Sequence, residues 1–182
     1  MNADASPTPI RWGPLTIPIT TAVLIPAALR ILLRRPEMPM GVPARYLVGV
    51  PLAALGSWMV ADAVSRVYLR QQTPLGDKPP EYLVRVGWYR VIRNPMAAGM
   101  TVLLVGEALM LCSVPVLTWA AVVFAVSCTA ALKVEEPSLL AAFGDEYAGY
   151  ARRTPRWLPS PTHLRALLSA RRAERGNRCT ST

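Results

Sequence analysis

Four apolar runs, each close to the length a helix needs to cross a bilayer, constrain this chain more than any other feature. They lie near residues 15–33, 46–64, 96–112 and 116–132. A helix rises about 1.5 Å per residue and a hydrocarbon core is about 30 Å thick, so about 20 apolar residues suffice to span it. Within that core backbone polar groups must be satisfied inside the protein, which makes helices the natural spanning element. The expected fold is all-α: a polytopic membrane protein of about four transmembrane helices with a cytosolic amphipathic C-terminal helix. Composition agrees, since 52% of the 182 residues are hydrophobic, high for a soluble domain.

The punctuation between the runs sets the organisation. Residues 1–14 are polar and Pro-containing and read as disordered. Pro18 and Pro26 should bend the first run, and Arg30 near its end can snorkel. With no small-residue cleavage site, that run stays as a membrane helix. Residues 34–45 form a Pro-punctuated basic loop. Asp62, near the end of the second run, reaches interfacial water or Arg66 one turn on. A long loop over 65–95 follows, with 73–80 as its irregular centre. Ser113-Val114-Pro115 is an uncharged tight turn that folds the third and fourth runs into a hairpin. Beyond Pro137, the residues Leu139, Leu140, Phe143, Tyr147 and Tyr150 recur at helical spacing, which predicts an amphipathic helix over 138–150. Pro155-Arg156-Trp157-Leu158-Pro159 reads as an interfacial anchor. The membrane domain thus covers 15–159, and 160–182 is a basic helix and tail.

The net charge of +9, from 20 Lys and Arg against 11 Asp and Glu, narrows the partners. No nucleic-acid recognition module is visible, so the basic excess points to anionic lipid and to topology. Arg11, the six basic residues from Arg66 to Arg93 and the nine from Lys133 to Arg178 fall on one side of a four-span arrangement. The positive-inside rule then makes both termini and the 65–95 loop cytoplasmic, and the expected location is a bacterial inner membrane. Arg30, Arg34, Arg35 and Arg45 run against that assignment. Cys112 and Cys128 lie in apolar runs as small hydrophobes. No CxxC spacing exists and His163 has no neighbouring ligands, so no metal site is expected. Cys179-Thr180-Ser181-Thr182 places a cysteine for prenylation but lacks the aliphatic middle residues.

Two polar clusters flank the hairpin. One is Leu83-Val84-Arg85-Val86-Gly87-Trp88-Tyr89-Arg90-Val91-Ile92-Arg93-Asn94-Pro95-Met96, and the other is Lys133-Val134-Glu135-Glu136-Pro137. The hairpin brings both to one membrane face, where cations beside anions suit a zwitterionic small molecule. Glu135 and Glu136 would take an ammonium, and Arg90 and Arg93 a carboxylate. Tyr89, Tyr147 and Tyr150 would supply aromatic walls. A plainer reading stands beside this one. The arginines then only anchor the chain, the glutamates only neutralise Lys133 and end a helix, and the tyrosines only pack. Glu107, inside a span, is either functional or hydrogen-bonded to a neighbouring helix.

An ordered set of short pieces carries a family resemblance. They are Thr73-Pro74, Pro79-Pro80, Leu83-Val84, Gly87-x-Tyr89-Arg90, Arg93-Asn94-Pro95-Met96, Gly99, Gly106-Glu107-Ala108-Leu109, Glu135-Glu136-Pro137-x-Leu139, Phe143-Gly144-x-Glu146-Tyr147-x-x-Tyr150 and Pro155-Arg156-Trp157-Leu158-Pro159. From Thr73 to Pro159 the chain resembles the isoprenylcysteine carboxyl methyltransferases, membrane enzymes similar to phospholipid N-methyltransferases. The resemblance implies a cytosol-facing pocket for S-adenosyl-L-methionine and methyl transfer to a lipid-linked or membrane-permeant acceptor bearing a carboxylate, amine or thiol. By position it carries cofactor binding onto Arg93, Asn94, Pro95 and Glu136, beside Tyr89, Arg90, Tyr147 and Tyr150 from the reading of charge and aromatic walls above, and it moves Glu107 toward a structural role. For catalysis, Glu135 is the candidate base for an amine or thiol, and Arg153 or Arg156 the candidate to hold a carboxylate in line. The chain departs from the family's pattern twice. Asn94 stands where a His is more familiar, keeping hydrogen bonding without titration. Ala97 stands where a Tyr is usual, removing an aromatic wall or hydroxyl. Competing readings are a non-catalytic membrane subunit with a degenerate fold, a small transporter and a membrane reductase. The chain shows neither inverted repeats nor a GxGxxG fingerprint for the last two.

Overall fold

The computed structural model describes residues 19–33, 38, 41–69, 82–159, 161 and 165. The expectations for 1–14, for the 73–80 loop centre, for His163, Cys179 and for most of 160–182 fall outside these residues.

Among the described residues the chain is helical and has no strand. Helix α1, Thr20–Leu32, opens with a π-helical turn. Helix α2, Val42–Val64, continues into a second π segment, Ser65–Leu69. A 3₁₀ turn, Gly87–Arg90, precedes α3, Pro95–Met110. Helix α4, Val114–Ala130, runs through a π segment, Ala131–Glu135, into α5, Glu136–Arg153. Prolines sit at the first turns of α2, α3 and α4, where the missing N–H removes no hydrogen bond; Pro137 lies at the junction of the π segment with α5.

Two helices, Val42–Val67 and Val114–Arg153, are long and apolar enough to cross a membrane. Thr20–Leu32 and Pro95–Met110 are shorter apolar helices, about 20 and 24 Å long at the standard rise. The 40-residue stretch from Val114 to Arg153 is about 60 Å, twice a hydrocarbon core. A bilayer crossed by its apolar first half would leave the second half projecting beyond it. The turn between α3 and α4 lies at Leu111–Ser113, two residues earlier than the spacing predicts, because Val114 and Pro115 already form the first turn of α4. Helix α5 is not the continuous amphipathic helix expected over 138–150. Gly144, at φ 48° and ψ −123°, interrupts it, and Leu140 remains 50% exposed while Tyr147 and Tyr150 are buried.

Helices α2 and α3 form the tightest pair, antiparallel and nearly in backbone contact. A Cβ added at Gly56 would lie 2.3 Å from Leu103 N and 2.6 Å from Gly99 O, and one at Gly106 would lie 2.5 Å from Ala53 N. Small residues at such a seam let helices in lipid gain dispersion contact where no hydrophobic driving force draws them together. Helix α1 closes the other side. Ala22 joins Met100, Leu104 and Ala120 in one cluster, and Trp119 Nε1 donates to Thr21 O at 3.1 Å. On the side away from the polar clusters, Met38 N donates to Cys112 O at 3.0 Å and tethers the segment before α2 to the α3–α4 turn.

Candidate functional site

The segment before α3 is a packed shelf rather than an open loop. Trp88, Val91 and Ile92 are buried against Met59 of α2, with Trp58 and Ala98 beside them. The Trp58 and Trp88 rings meet edge to face at 5.0 Å. Asp62 fixes where the shelf begins: its Oδ2 accepts from Trp88 N at 3.1 Å and from Arg66 Nε at 3.0 Å. A carboxylate there meets the unpaired N–H groups that open the 3₁₀ turn. Gly87 must be glycine, because its φ is +64° and an added Cβ would collide with both Asp62 Oδ2 and Arg66 Nε. Asp62 thus does bond Arg66 as expected. Its hold on the shelf was missed, and the only sequence signal for it was a carboxylate near a helix end followed much later by Gly-Trp.

The shelf delivers Arg93 and Asn94 to a strap, residues 154–159, that returns from α5. Arg93 N donates to Pro155 O at 2.9 Å and Asn94 N to Arg156 O at 3.4 Å. Trp157 of the strap meets Phe124 of α4 edge to face at 5.2 Å. Glu136, in the first turn of α5, sits between the two. Its Oε1 accepts from Arg93 Nη1 at 3.1 Å and from Arg156 Nε at 2.6 Å, and its Oε2 accepts from Arg156 Nη2 at 2.9 Å. The side chains of Arg93 and Glu136 are only 15% and 16% exposed. Water therefore screens the pair less than it would a surface one. Burial raises the Tyr147 phenol pKa, and the neighbouring Arg93 guanidinium opposes that rise. Tyr150, tilted against Tyr147, donates through its hydroxyl to Tyr89 O at 2.8 Å. Burial pushes the Tyr150 phenol well above its ordinary pKa, so that donor stays protonated at any physiological pH.

The structure brings together Tyr89, Arg93, Asn94, Pro95, Glu136, Tyr147, Tyr150 and Arg156. Pro95 is buried as the first residue of α3. It does not bring Arg90 or Arg153 to the cluster: both line an open groove that shares Tyr150 with it. Glu135 takes no part in the cluster's ion pairs and is exposed. The surrounding chain still desolvates its carboxyl, and with the adjacent Glu136 charge this raises its pKa. Glu107 Oε2 is buried in α3 with no hydrogen-bond partner, so the helix-to-helix bond expected for it is not seen at that atom. No group of three or more metal-ligating side chains occurs among the described residues.

The arrangement differs from the simple juxtaposition of opposite charges read from sequence. Arg93 and Glu136 are bonded to each other, with Arg156 as a second cation, so the cluster holds two guanidiniums and one carboxylate. Unused capacity remains. Arg93 Nε and Asn94 Nδ2 are buried donors without partners, and an ionised carboxylate with about four acceptor positions has only three taken at Glu136. Two free donors beside one free acceptor suit the carboxylate and ammonium of an amino acid.

Searches of curated proteins and of solved structures each gave no match. A family model described as phospholipid methyltransferase matches residues 44–146. The match takes in α2, the shelf, Arg93 and Glu136, and stops short of Tyr147, Tyr150 and the strap. Spanning more than half of the chain, and holding the helices that build the cluster, it shows that this protein belongs to the phospholipid methyltransferase family.

Proposed function

We propose that the protein is an integral-membrane methyltransferase that uses S-adenosyl-L-methionine and methylates a lipid-linked or membrane-permeant acceptor at the cytosolic membrane face. The observation that carries this is the Arg93–Glu136–Arg156 cluster with its unused donors and acceptor. The residues present fit the cofactor's methionine end. Glu136 Oε2 would accept from the ammonium, and Arg93 Nε and Asn94 Nδ2 would donate to the carboxylate. When bound, the cofactor supplies a methyl carbon activated by its sulfonium. Tyr147, beside Arg93, offers an aromatic face to that cation.

The remaining chemistry belongs to the chain. Arg156 uses Nε and Nη2 on Glu136 and so orients that carboxylate, while its other N–H groups remain to hold an acceptor carboxylate. The strap, held by Arg93 N, Asn94 N and Trp157, covers the cluster and excludes water from it. For an amine or thiol acceptor we assign the base role to Glu135, one residue before the cluster's carboxylate, whose raised pKa suits a proton acceptor. In the four-span arrangement α1 and α3 join α2 and α4 across the membrane. The basic residues around the shelf and strap then face the cytosol, and a lipid tail enters between the helices.

The test uses the purified protein in nanodiscs with methyl-labelled S-adenosylmethionine and a lipid extract. The expected result is label in a lipid-soluble product. Cofactor binding with no transfer to amine, carboxylate or thiol lipids would instead support a non-catalytic subunit and overturn the proposal.

A further inference from the structure

The groove beside the cluster has chemistry of its own. It lies between the shelf and the C-terminal half of α5, with a volume of about 390 Å³, and Arg85, Arg90, Asp145, Glu146 and Arg153 line it around Tyr150. Arg85 is ion-paired with Glu146, which neutralises both and braces the shelf against α5. Arg90 and Arg153 have no ion pair among the described residues, and Asp145 is the single remaining carboxylate in the lining. Two uncommitted guanidiniums thus face one uncommitted acid.

Each arginine has a plain explanation taken alone. Arg90 ends the 3₁₀ turn and Arg153 ends α5, and cations are favoured at helix C-termini. That account does not explain why two different elements end in the same concavity. The groove is also at the membrane surface in the proposed arrangement. The strap that leaves it at Thr154 carries Trp157 onto α4 and leaves Leu158 83% exposed. Guanidiniums match the oxygens of phosphate in fork geometry, and basic side chains at a cytoplasmic surface meet acidic lipid.

We propose that this groove is a phosphate-binding subsite that seats the headgroup phosphate of an acidic membrane lipid, gripped by Arg90 and Arg153. The lipid held there is a docking contact beside the reaction site and not the methyl acceptor. Asp145 accepts a hydrogen bond from a headgroup hydroxyl. The proposal rests on the membrane placement above, and reassigns Arg90 and Arg153 from cofactor and acceptor to lipid.

The experiment titrates full-length protein, in uncharged detergent, with dihexanoyl phosphatidylglycerol by calorimetry. Dihexanoyl phosphatidylcholine and inorganic phosphate are run as separate arms. The wild type should bind phosphatidylglycerol saturably and the other two at least tenfold more weakly. The Arg90→Gln/Arg153→Gln variant should lose at least tenfold in affinity for phosphatidylglycerol, and Arg152→Gln, an exposed neighbour outside the groove, less than twofold. If the double variant does not fold, Arg90→Lys, which keeps the charge and loses the fork, should still weaken binding severalfold. Unchanged binding by the arginine variants, an equal loss in Arg152→Gln, or phosphate or phosphatidylcholine binding as tightly as phosphatidylglycerol would overturn the proposal. Binding of S-adenosylmethionine is measured on the same preparations. Lipid binding without cofactor binding would sink the methyltransferase reading and leave the subsite standing, and the reverse outcome would do the opposite.

Discussion

Replacing Gly56 by alanine tests the seam on which the whole site rests. The new Cβ would stand 2.3 Å from Leu103 N, 2.6 Å from Gly99 O and 2.7 Å from Leu103 Cα, whereas carbon contacts are comfortable at about 3.5–4.0 Å. All three obstacles are backbone, so no side chain can swing aside and α2 must move from α3 by about 1 Å. Overpacking of this kind costs about 1–3 kcal/mol. The gap it opens along the seam forfeits a quarter to a half of the contact energy there, which places the expected cost near 3 kcal/mol. For a chain of this size that is roughly a 6–12 °C fall in unfolding midpoint. The displacement also moves Met59 and Asp62, which hold the shelf, so cofactor affinity should fall with stability. Thermal unfolding in detergent, followed by tryptophan fluorescence, reads the first effect. Gly149→Ala is the control. Nothing lies within 4 Å of its added Cβ, and alanine is the better helix former by roughly 0.5–1 kcal/mol. If Gly56→Ala leaves the midpoint within 2 °C (about the scatter of such a measurement, on the order of 0.5–1 kcal/mol), the close approach of α2 and α3 is wrong.

The other expectations concern the shelf and its supports. Asp62→Ala should cost about 2–3 kcal/mol, since it leaves the Trp88 N–H and a half-buried Arg66 without their charged partner. It should also weaken S-adenosylmethionine binding although Asp62 touches no cofactor; a stable protein with normal binding would remove Asp62 from the account. Tyr150→Phe deletes the hydrogen bond to Tyr89 O and should cost about 1 kcal/mol, measured by the same unfolding assay. Its pH dependence has a definite sign. Burial raises the folded-state pKa of Tyr150 above the ordinary 10.0, so the stability it lends is present below pH 10 and lost as pH rises above it. The wild-type midpoint should fall more steeply than that of Tyr150→Phe above pH 10.

Much of this was legible in the residues because hydrophobic length and charge position act locally. The four helices appear within a few residues of the apolar runs, and the hairpin does bring Arg93 and Glu136 to one place. Lengths were less legible. Prolines start α3 and α4 earlier than the apolar pattern suggested, and α3 ends at Met110. The break at Gly144 was not foreseen because apolar periodicity continues across it, while only a backbone angle reveals the interruption. Arg93, Asn94, Glu136 and the tyrosine pair, expected at one place, do lie together, while their connectivity was less legible. Sequence placed Arg156 with the acceptor and Arg90 with the cofactor. Contacts 20 and 43 residues apart instead tie Arg156 and Arg93 to one carboxylate, and the end of the 3₁₀ turn directs Arg90 to the groove. Asp62 was the largest omission, since a bond from a helix end to a backbone N–H 26 residues later leaves no pattern in either segment.

Equilibrium binding of labelled S-adenosylmethionine to wild type and to Glu136→Gln tests the central claim most directly. Glutamine keeps the shape of the side chain and removes the charge that would hold the ammonium. A charge-assisted hydrogen bond is worth about 1.5–3 kcal/mol, so affinity should fall about 10- to 100-fold. Saturable binding by the wild type with that loss is the predicted result. No binding by the wild type, or equal binding by a folded Glu136→Gln protein, would contradict it.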